Sequence, residues 1–162
     1  VTPKYKHPTR LNVFAGMCWS GKTKLVCYKD NLNGYRYASI LDDILPEMKD
    51  KVFKKRKWMV VQDAVPLHFT AEVKAVFESH GVSFVPKNKW PPNSPDLSPI
   101  EHVWSILKDN IAGRQPNTLA ELQMYALEEW DKIPQKTIQN CILGLTPRLA
   151  LVKKNKGNYS KK

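Results

Sequence analysis

Two carboxylates in this chain have surroundings that suit them to chemistry. Asp63 closes an apolar run, Trp58–Gln62 (WMVVQ), and Glu101 stands in the first turn of an amphipathic stretch that begins Ser98-Pro99-Ile100-Glu101. Thirty-seven residues lie between them. Two carboxylates brought together can bind hard divalent cations such as Mg²⁺ or Mn²⁺. A pair of such ions activates a water or a 3′-hydroxyl and stabilises the leaving oxygen of a phosphodiester. Each acid also has a plainer use. An Asp after a strand commonly forms a turn. The Ser98-to-Glu101 spacing fits a capping box, in which Glu reaches back to the Ser98 amide, and spacing alone favours the cap.

The elements that must hold these acids can be read from periodicity. Trp58–Gln62 reads as a buried strand. From Ile100 onward, Val103, Trp104, Leu107 and Ile111 recur at helical spacing, with Ser98 as N-cap, Pro99 at the first helical position and Gly113 as the stop. Upstream, Leu11–Trp19 (LNVFAGMCW) and Thr23–Tyr28 (TKLVCY) read as strands joined by Ser20-Gly21-Lys22, which suggests a hairpin. Tyr35–Lys49 has helical periodicity, with Pro46 as an awkward late member. Lys54–Lys57 is a short basic cluster that suits a solvated edge. Thr70–His80 reads as a helix stopped by Gly81, and Val82–Val85 as a short strand. Thr118–Ile133 opens on a Thr-x-x-Glu capping-box spacing, and Ile138–Val152 is a last helix with a possible break near Pro147. Helices alternating with strands imply an α/β sheet with covered faces, where functional side chains gather beyond the carboxyl ends of strands. Asp63 has such a position.

The chain has 162 residues, 42% of them apolar, enough for one domain with a real core. No apolar run is long enough to span a bilayer, and no signal peptide is visible. Lys and Arg number 26 against 15 Asp and Glu, a net charge of +11, which favours a polyanionic partner, nucleic acid ahead of acidic membrane. Cys18, Cys27 and Cys141 form no zinc pattern and read as reduced, mostly buried thiols of an intracellular protein. Residues 1–10 read as a basic arm, 11–152 as the core and 153–162 as a basic disordered tail. Because it begins at Val1 rather than Met, the chain is expected to be a fragment or a processed product.

The segments VVQDAVPLHFT (Val60–Thr70) and NSPDLSPIEHVW (Asn93–Trp104) resemble two signatures of the Tc/mariner superfamily of DNA transposases. The matching residues are Gln62, Asp63, Pro66 and His68, then Ser94-Pro95-Asp96-Leu97, Pro99-Ile100-Glu101 and Trp104. The stretch LNVFAGMCWSGKTKLV is similar to that family's second and third strands, and the resemblance extends over about residues 4–157. It implies an α/β, ribonuclease-H-like (DDE integrase/transposase) mixed sheet flanked by helices. It also implies an Asp-Asp-Glu triad, two Mg²⁺ (or Mn²⁺) ions, cleavage of DNA at transposon ends, joining of the 3′-hydroxyl to a target, and a nuclear location. Asp63 would be the second acid and Glu101 the third. A homodimer is what the family suggests.

The departures are informative. No acidic residue precedes Asp30, and neither Asp30 nor the Asp42–Asp43 pair can take the first acid's place, so the first strand and its Asp are missing. Ala64 stands where the family usually has Asn. Without a strand that lies centrally in such sheets, apolar surface and backbone donors lose a partner, and reduced stability or an altered sheet is expected. Two functions follow. One is a transposase catalytic-core fragment, inactive alone. The other is a non-catalytic DNA-binding or assembly module from a decayed or repurposed transposon gene. His68 is either active-site support or a structural histidine. Lys108, seven residues after Glu101, can meet a phosphate or remain solvated, and Lys4, Lys6 and Arg10 of the arm can contact the DNA backbone. His102, Trp90 and Trp104 read as structural.

Overall fold

The computed structural model describes residues 10–90 and 94–154. Near the N-terminus the apolar stretch folds as two nested antiparallel pairs. Strand β1 (Asn12–Phe14) pairs with β4 (Val26–Tyr28), and β2 (Met17–Cys18) pairs with β3 (Gly21–Lys22). The expected single strand over Leu11–Trp19 is therefore divided at Ala15-Gly16. Thr23 explains the break: its hydroxyl accepts the Gly16 N–H at 2.8 Å and its own N–H returns to the Gly16 carbonyl at 2.8 Å. The tight turn falls at Trp19-Ser20, and Gly21-Lys22 belong to β3 rather than to the turn.

Helix α1 (Gly34–Glu47) starts at Asn33, whose side chain accepts the Arg36 N–H. A Cβ at Gly34 would lie 2.6 Å from Thr70 Oγ1, so glycine allows α1 to touch the start of α2 (Ala71–His80). Pro46 sits inside α1, and the chain then widens into a π-helical turn, Met48–Phe53. Wider turns of this kind relieve a ladder that proline has interrupted. Helix α2 ends at Gly81, at φ 63°, as the sequence predicts. Strands β5 (Met59–Val60) and β6 (Ser83–Phe84) pair in parallel on either side of it.

In the C-terminal half, α3 (Pro99–Gly113), α4 (Leu119–Lys132), α5 (Gln135–Leu143) and α6 (Leu145–Lys154) follow. The last break falls at Gly144 rather than near Pro147, and α6 runs to Lys154, two residues into the stretch read as a tail. Two apolar clusters hold the fold. One unites α1 and α2 around Tyr37, Leu41, Val73 and Phe77. The other joins Ala15 and Leu25 to Val103, Leu107, Trp130 and Ile138. In the second, the Trp130 Nε1–H donates to the Thr23 carbonyl at 2.9 Å. Lys22 donates to the carbonyls of Trp130 and Ile133, which satisfies the open end of α4. Burial there pulls the Lys22 pKa below its ordinary value, with Asp131 opposing.

Among the described residues the strands form three separate pairs, not one continuous sheet. Among the described residues, β1 and β5 are not hydrogen-bonded to each other, and each has a single partner. Between the two pairs lies a cavity of about 850 Å³, lined by Val13 and Phe14 of β1, Val60 of β5 and Val61 just after it, Tyr37 and Leu41 of α1, and Ile100 and Trp104 of α3. A strand residue in a packed sheet occupies roughly 160 Å³ from the usual strand, sheet and residue spacings, so this is room for about five residues. The run Trp58–Gln62, expected to be wholly buried, is not: Met59 is 56% and Val61 55% exposed. Val61 borders the cavity, which leaves it without a covering neighbour, whereas Met59 does not line it. The three cysteines are also half-buried rather than buried, and burial still pushes the Cys27 and Cys141 thiols up.

Candidate functional site

Both acids line the cavity. Asp63 leaves the end of β5, and Glu101 enters from the first turn of α3; both line the same cavity, together with His68. Asp63 is held from its own side. Buried Gln62 accepts the Tyr37 hydroxyl at 2.7 Å and donates to the His68 carbonyl at 2.9 Å, which ties the turn Pro66–Phe69 back onto the strand end. The His68 ring packs on Tyr37, centroids 4.4 Å apart, and its Nδ1 lies 2.6 Å from Asp63 Oδ1. His68 thus touches the acid while it braces the turn. That contact holds the Asp63 carboxyl below its ordinary pKa against the opposing effect of burial, with the Val65 backbone amide helping. Burial, with Asp63 nearby, pushes the Tyr37 hydroxyl far up, so it remains a donor.

Glu101 is governed by the turn before it. A capping box needs the Ser98 N–H for the glutamate, but Ser98 N–H donates to the Pro95 carbonyl at 3.0 Å. Ser98 makes no side-chain cap, and the Glu101 N–H goes to the Ser98 carbonyl at 3.1 Å. The Glu101 carboxylate makes no hydrogen bond or ion pair with the described residues. The same spacing caps elsewhere: at α4, Glu121 N–H donates to Thr118 Oγ1 at 3.1 Å, and the Glu121 carboxylate reaches back one residue past the N-cap to accept the Asn117 N–H at 2.7 Å. The expected cap at Ser98 is therefore absent because the Pro95–Leu97 turn takes the amide first.

The remaining residues sort by place. Asp30 pairs with Arg36, Asp42 with His80 and Asp43 with Lys24, and none of these acids lines the cavity. Lys108 is exposed on α3, two turns or about 10 Å beyond Glu101. Arg10 is exposed, and Lys4 and Lys6 lie outside the described residues. His102 accepts from Arg148, whose guanidinium also donates to the Asp96 carbonyl at 3.2 Å, so α6 is fastened to the turn before Glu101. Trp104 packs at a tilt against Trp130, and Trp90 lines the cavity. The sequence pattern does not single out Lys87, which lines the cavity, or Tyr37, which holds Gln62 next to Asp63. Lys87 carries no pattern of its own, and Tyr37 was legible only as part of an apolar helix face.

Carboxylate oxygens suit Mg²⁺ or Mn²⁺, and Asp63 and Glu101 line one cavity. The set is incomplete: among the described residues no group of three or more His, Cys, Asp or Glu side chains could hold a metal ion.

A family profile described as DDE superfamily endonuclease matches residues 1–123. The chain belongs to this family. Within the DDE superfamily its likeness is to Tc/mariner transposases. It is 27% identical over 130 residues to the transposable element Tcb1 transposase of Caenorhabditis briggsae, covering 80% of this chain and 46% of that protein. It is 32% identical over 98 residues to the Tc1 transposase of Caenorhabditis elegans, covering 60% of this chain and 34% of that one. The chain spans less than half the length of these curated relatives. The crystal structure of the catalytic domain of Mos1 mariner transposase superposes with a TM-score of 0.82 at 18% identity, over 98% of this chain and 80% of that one. The Mos1 paired end complex with Mn matches with a TM-score of 0.84 at 17% identity, over 99% of this chain and 48% of that one. The DDE fold here is ribonuclease-H-like, as the sequence resemblance implies.

Removing the His68 contact has a readable effect on Asp63. In His68→Gln, the carboxyl titration of Asp63, followed by NMR, is expected to move up toward the ordinary range near 4. A depressed folded pKa gives stability that is present above the unfolded value and lost as pH falls through the folded one. The native chain should therefore lose more stability than the variant on acidification below about pH 4. An unmoved Asp63 titration would show that His68 does not set it.

Proposed function

We propose that this chain is the catalytic-core part of a Tc/mariner-type transposase, with Asp63 and Glu101 as two of the acids that hold divalent metal for cleavage and strand transfer of DNA. The observation that carries this is the Glu101 carboxylate, released from helix capping and lining one cavity with Asp63. Mg²⁺ or Mn²⁺, when bound, supplies charge for the attacking and leaving oxygens. The chain's own residues do the positioning: Gln62 and His68 set Asp63, and the Pro95–Leu97 turn sets Glu101. With two acids the site is inactive alone, and a third carboxylate is supplied by a segment that fills the gap between β1 and β5. The partner is DNA, through Arg10, Lys108 and the arm residues Lys4 and Lys6; the assembly is a homodimer and the location the nucleus.

Mn²⁺ binding tests the acid pair without requiring turnover. Water-proton relaxation of a Mn²⁺ titration should give weak binding to the parent chain. Asp63→Asn and Glu101→Gln should each weaken it about tenfold or more, since loss of a ligand or its immediate support typically costs that much. Equal binding by all three proteins would remove both residues from the metal site.

One observation favours a second reading, the DNA-binding or assembly module: the donor set stops at two among the described residues. DNA affinity that falls steeply with salt, with Mn²⁺ binding indifferent to both substitutions, is the result it expects.

A further inference from the structure

The segment Lys54–Lys57 (KKRK) forms a closed loop at the other end of β5 from Asp63. Its base is fixed by two stacked rings, Phe53 and Trp58, with centroids 4.4 Å apart and planes 12° from parallel. The turn is closed by Lys54 N–H to the Lys49 carbonyl at 2.6 Å and by Arg56 N–H to the Phe53 carbonyl at 2.9 Å. Lys54 holds a φ of 53°, a region where glycine sits without strain and lysine does not. Arg56 is used internally, donating to the Val52 carbonyl at 2.7 Å. Lys54, Lys55 and Lys57 are all exposed and make no ion pair with the described residues. Nearby, Lys51 is already paired with Glu47 at 3.1 Å.

We infer that this loop is a binding site for the phosphate backbone of DNA, separate from the edge that carries Asp63 and Glu101. Three ammonium groups on a preformed convex loop match successive phosphates, because a lysine is a point charge that asks for no particular base or orientation. A carrier protein that reads basic peptides in extended form is poorly served, since this segment is pinned at both ends and its arginine is occupied. Lys57 lies before β5 and Asp63 after it, at most about 20 Å apart at the rise of an extended chain. One duplex can therefore reach from the loop to the edge that carries Asp63. The inference rests on the DNA partner proposed above but not on the metal site.

The test compares two variants of the full chain that lose equal charge. One combines Lys54→Gln, Lys55→Gln and Lys57→Gln; the other combines Lys29→Gln, Lys74→Gln and Lys136→Gln, all exposed elsewhere. Binding to a fluorescent mixed-sequence duplex is measured by anisotropy across salt concentrations, with circular dichroism confirming that both variants fold. The loop variant should lower the slope of log affinity against log salt by about 2 to 3, roughly 0.9 for each phosphate that is no longer neutralised. Its affinity near 0.1 M salt should fall on the order of tenfold or more, while the control variant stays close to the parent. Equal losses in both variants would reduce the effect to net charge and overturn the inference. Unchanged DNA binding by the loop variant, with loss of nuclear accumulation of a fluorescent fusion, would assign the loop to a carrier instead. Because neither readout uses metal, failure here leaves the Asp63 and Glu101 reading to its own Mn²⁺ test.

Discussion

An apolar strand of about five residues, fused ahead of β1 by a flexible linker, is expected to raise the melting temperature of this chain by about 10 °C. It should run parallel to β5, so that an aspartate at its end comes level with Asp63. A strand in that gap is buried on both faces. Five apolar side chains contribute about 1.5–3 kcal/mol each, and fixing each residue's backbone costs about 1–2 kcal/mol, which leaves a net gain of a few kcal/mol. Each kcal/mol moves the midpoint of a chain this size by about 2–4 °C. The gain should come with a sharper transition, because two strand pairs that now lack a common neighbour become one sheet. Replacing the strand's terminal Asp by Ala separates the two roles. The melting temperature should stay high, while Mg²⁺- or Mn²⁺-dependent nicking of supercoiled DNA appears only with the acid. A fusion that melts with the parent would show that the cavity does not accept a strand. Robust nicking by the unfused parent, lost in Asp63→Ala and Glu101→Ala, would overturn the claim of an incomplete site.

Trp130→Ala should produce the largest loss. Trp130 is fully buried, donates to the Thr23 carbonyl, lies under Lys22 at 5.2 Å and packs against Trp104 at 5.5 Å. Truncating a buried aromatic of this kind costs about 3–5 kcal/mol, which lowers the melting temperature by roughly 10 °C or more. Trp130→Phe keeps a six-membered ring but loses the pyrrole part and its hydrogen bond, and should cost about 1–3 kcal/mol, less than the alanine variant. The site should feel the change too. Glu101 and Trp104 stand one turn apart on α3, so loosening the tryptophan pair loosens the first turn. Mn²⁺ binding by the Ala variant should weaken even below its melting transition. A melting temperature within about 2 °C of the parent would contradict the central place given to this side chain.

Helix positions were legible because apolar faces repeat at 3.6 residues: α1, α2, α3 and α4 all lie close to where Tyr37, Val73, Val103 and Trp130 put them. Strands were less so. The break at Gly16 depends on the Thr23 hydroxyl, seven residues away, which no alternation reports. The run Trp58–Gln62 is less buried than its composition implies, because an apolar run records what a strand suits, and Val61 borders an open cavity. Pro46 was tolerated because the next turn widened, a three-dimensional remedy invisible in composition. Among the site residues, Asp63 and Glu101 could be named from type and motif, but not which Glu of two capping-box spacings was bonded. That depended on one amide, Ser98, already given to Pro95, whereas nothing precedes Thr118 in the same way.

The two apolar clusters also set an order of assembly. The first is built from residues close in sequence, α1, α2 and the strands beside them, so its contacts close short loops. The second needs Thr23 to meet Trp130 and Cys18 to meet Gln135, separations of 107 and 117 residues. Long closures cost more chain entropy before any contact repays it, and slow the step that makes them. Asp63 belongs to the early half and Glu101 to the late one. Bringing Asp63 and Glu101 to one cavity therefore depends on the long closures. A chain with only the first cluster formed would present one carboxylate and no pair, and would bind metal weakly.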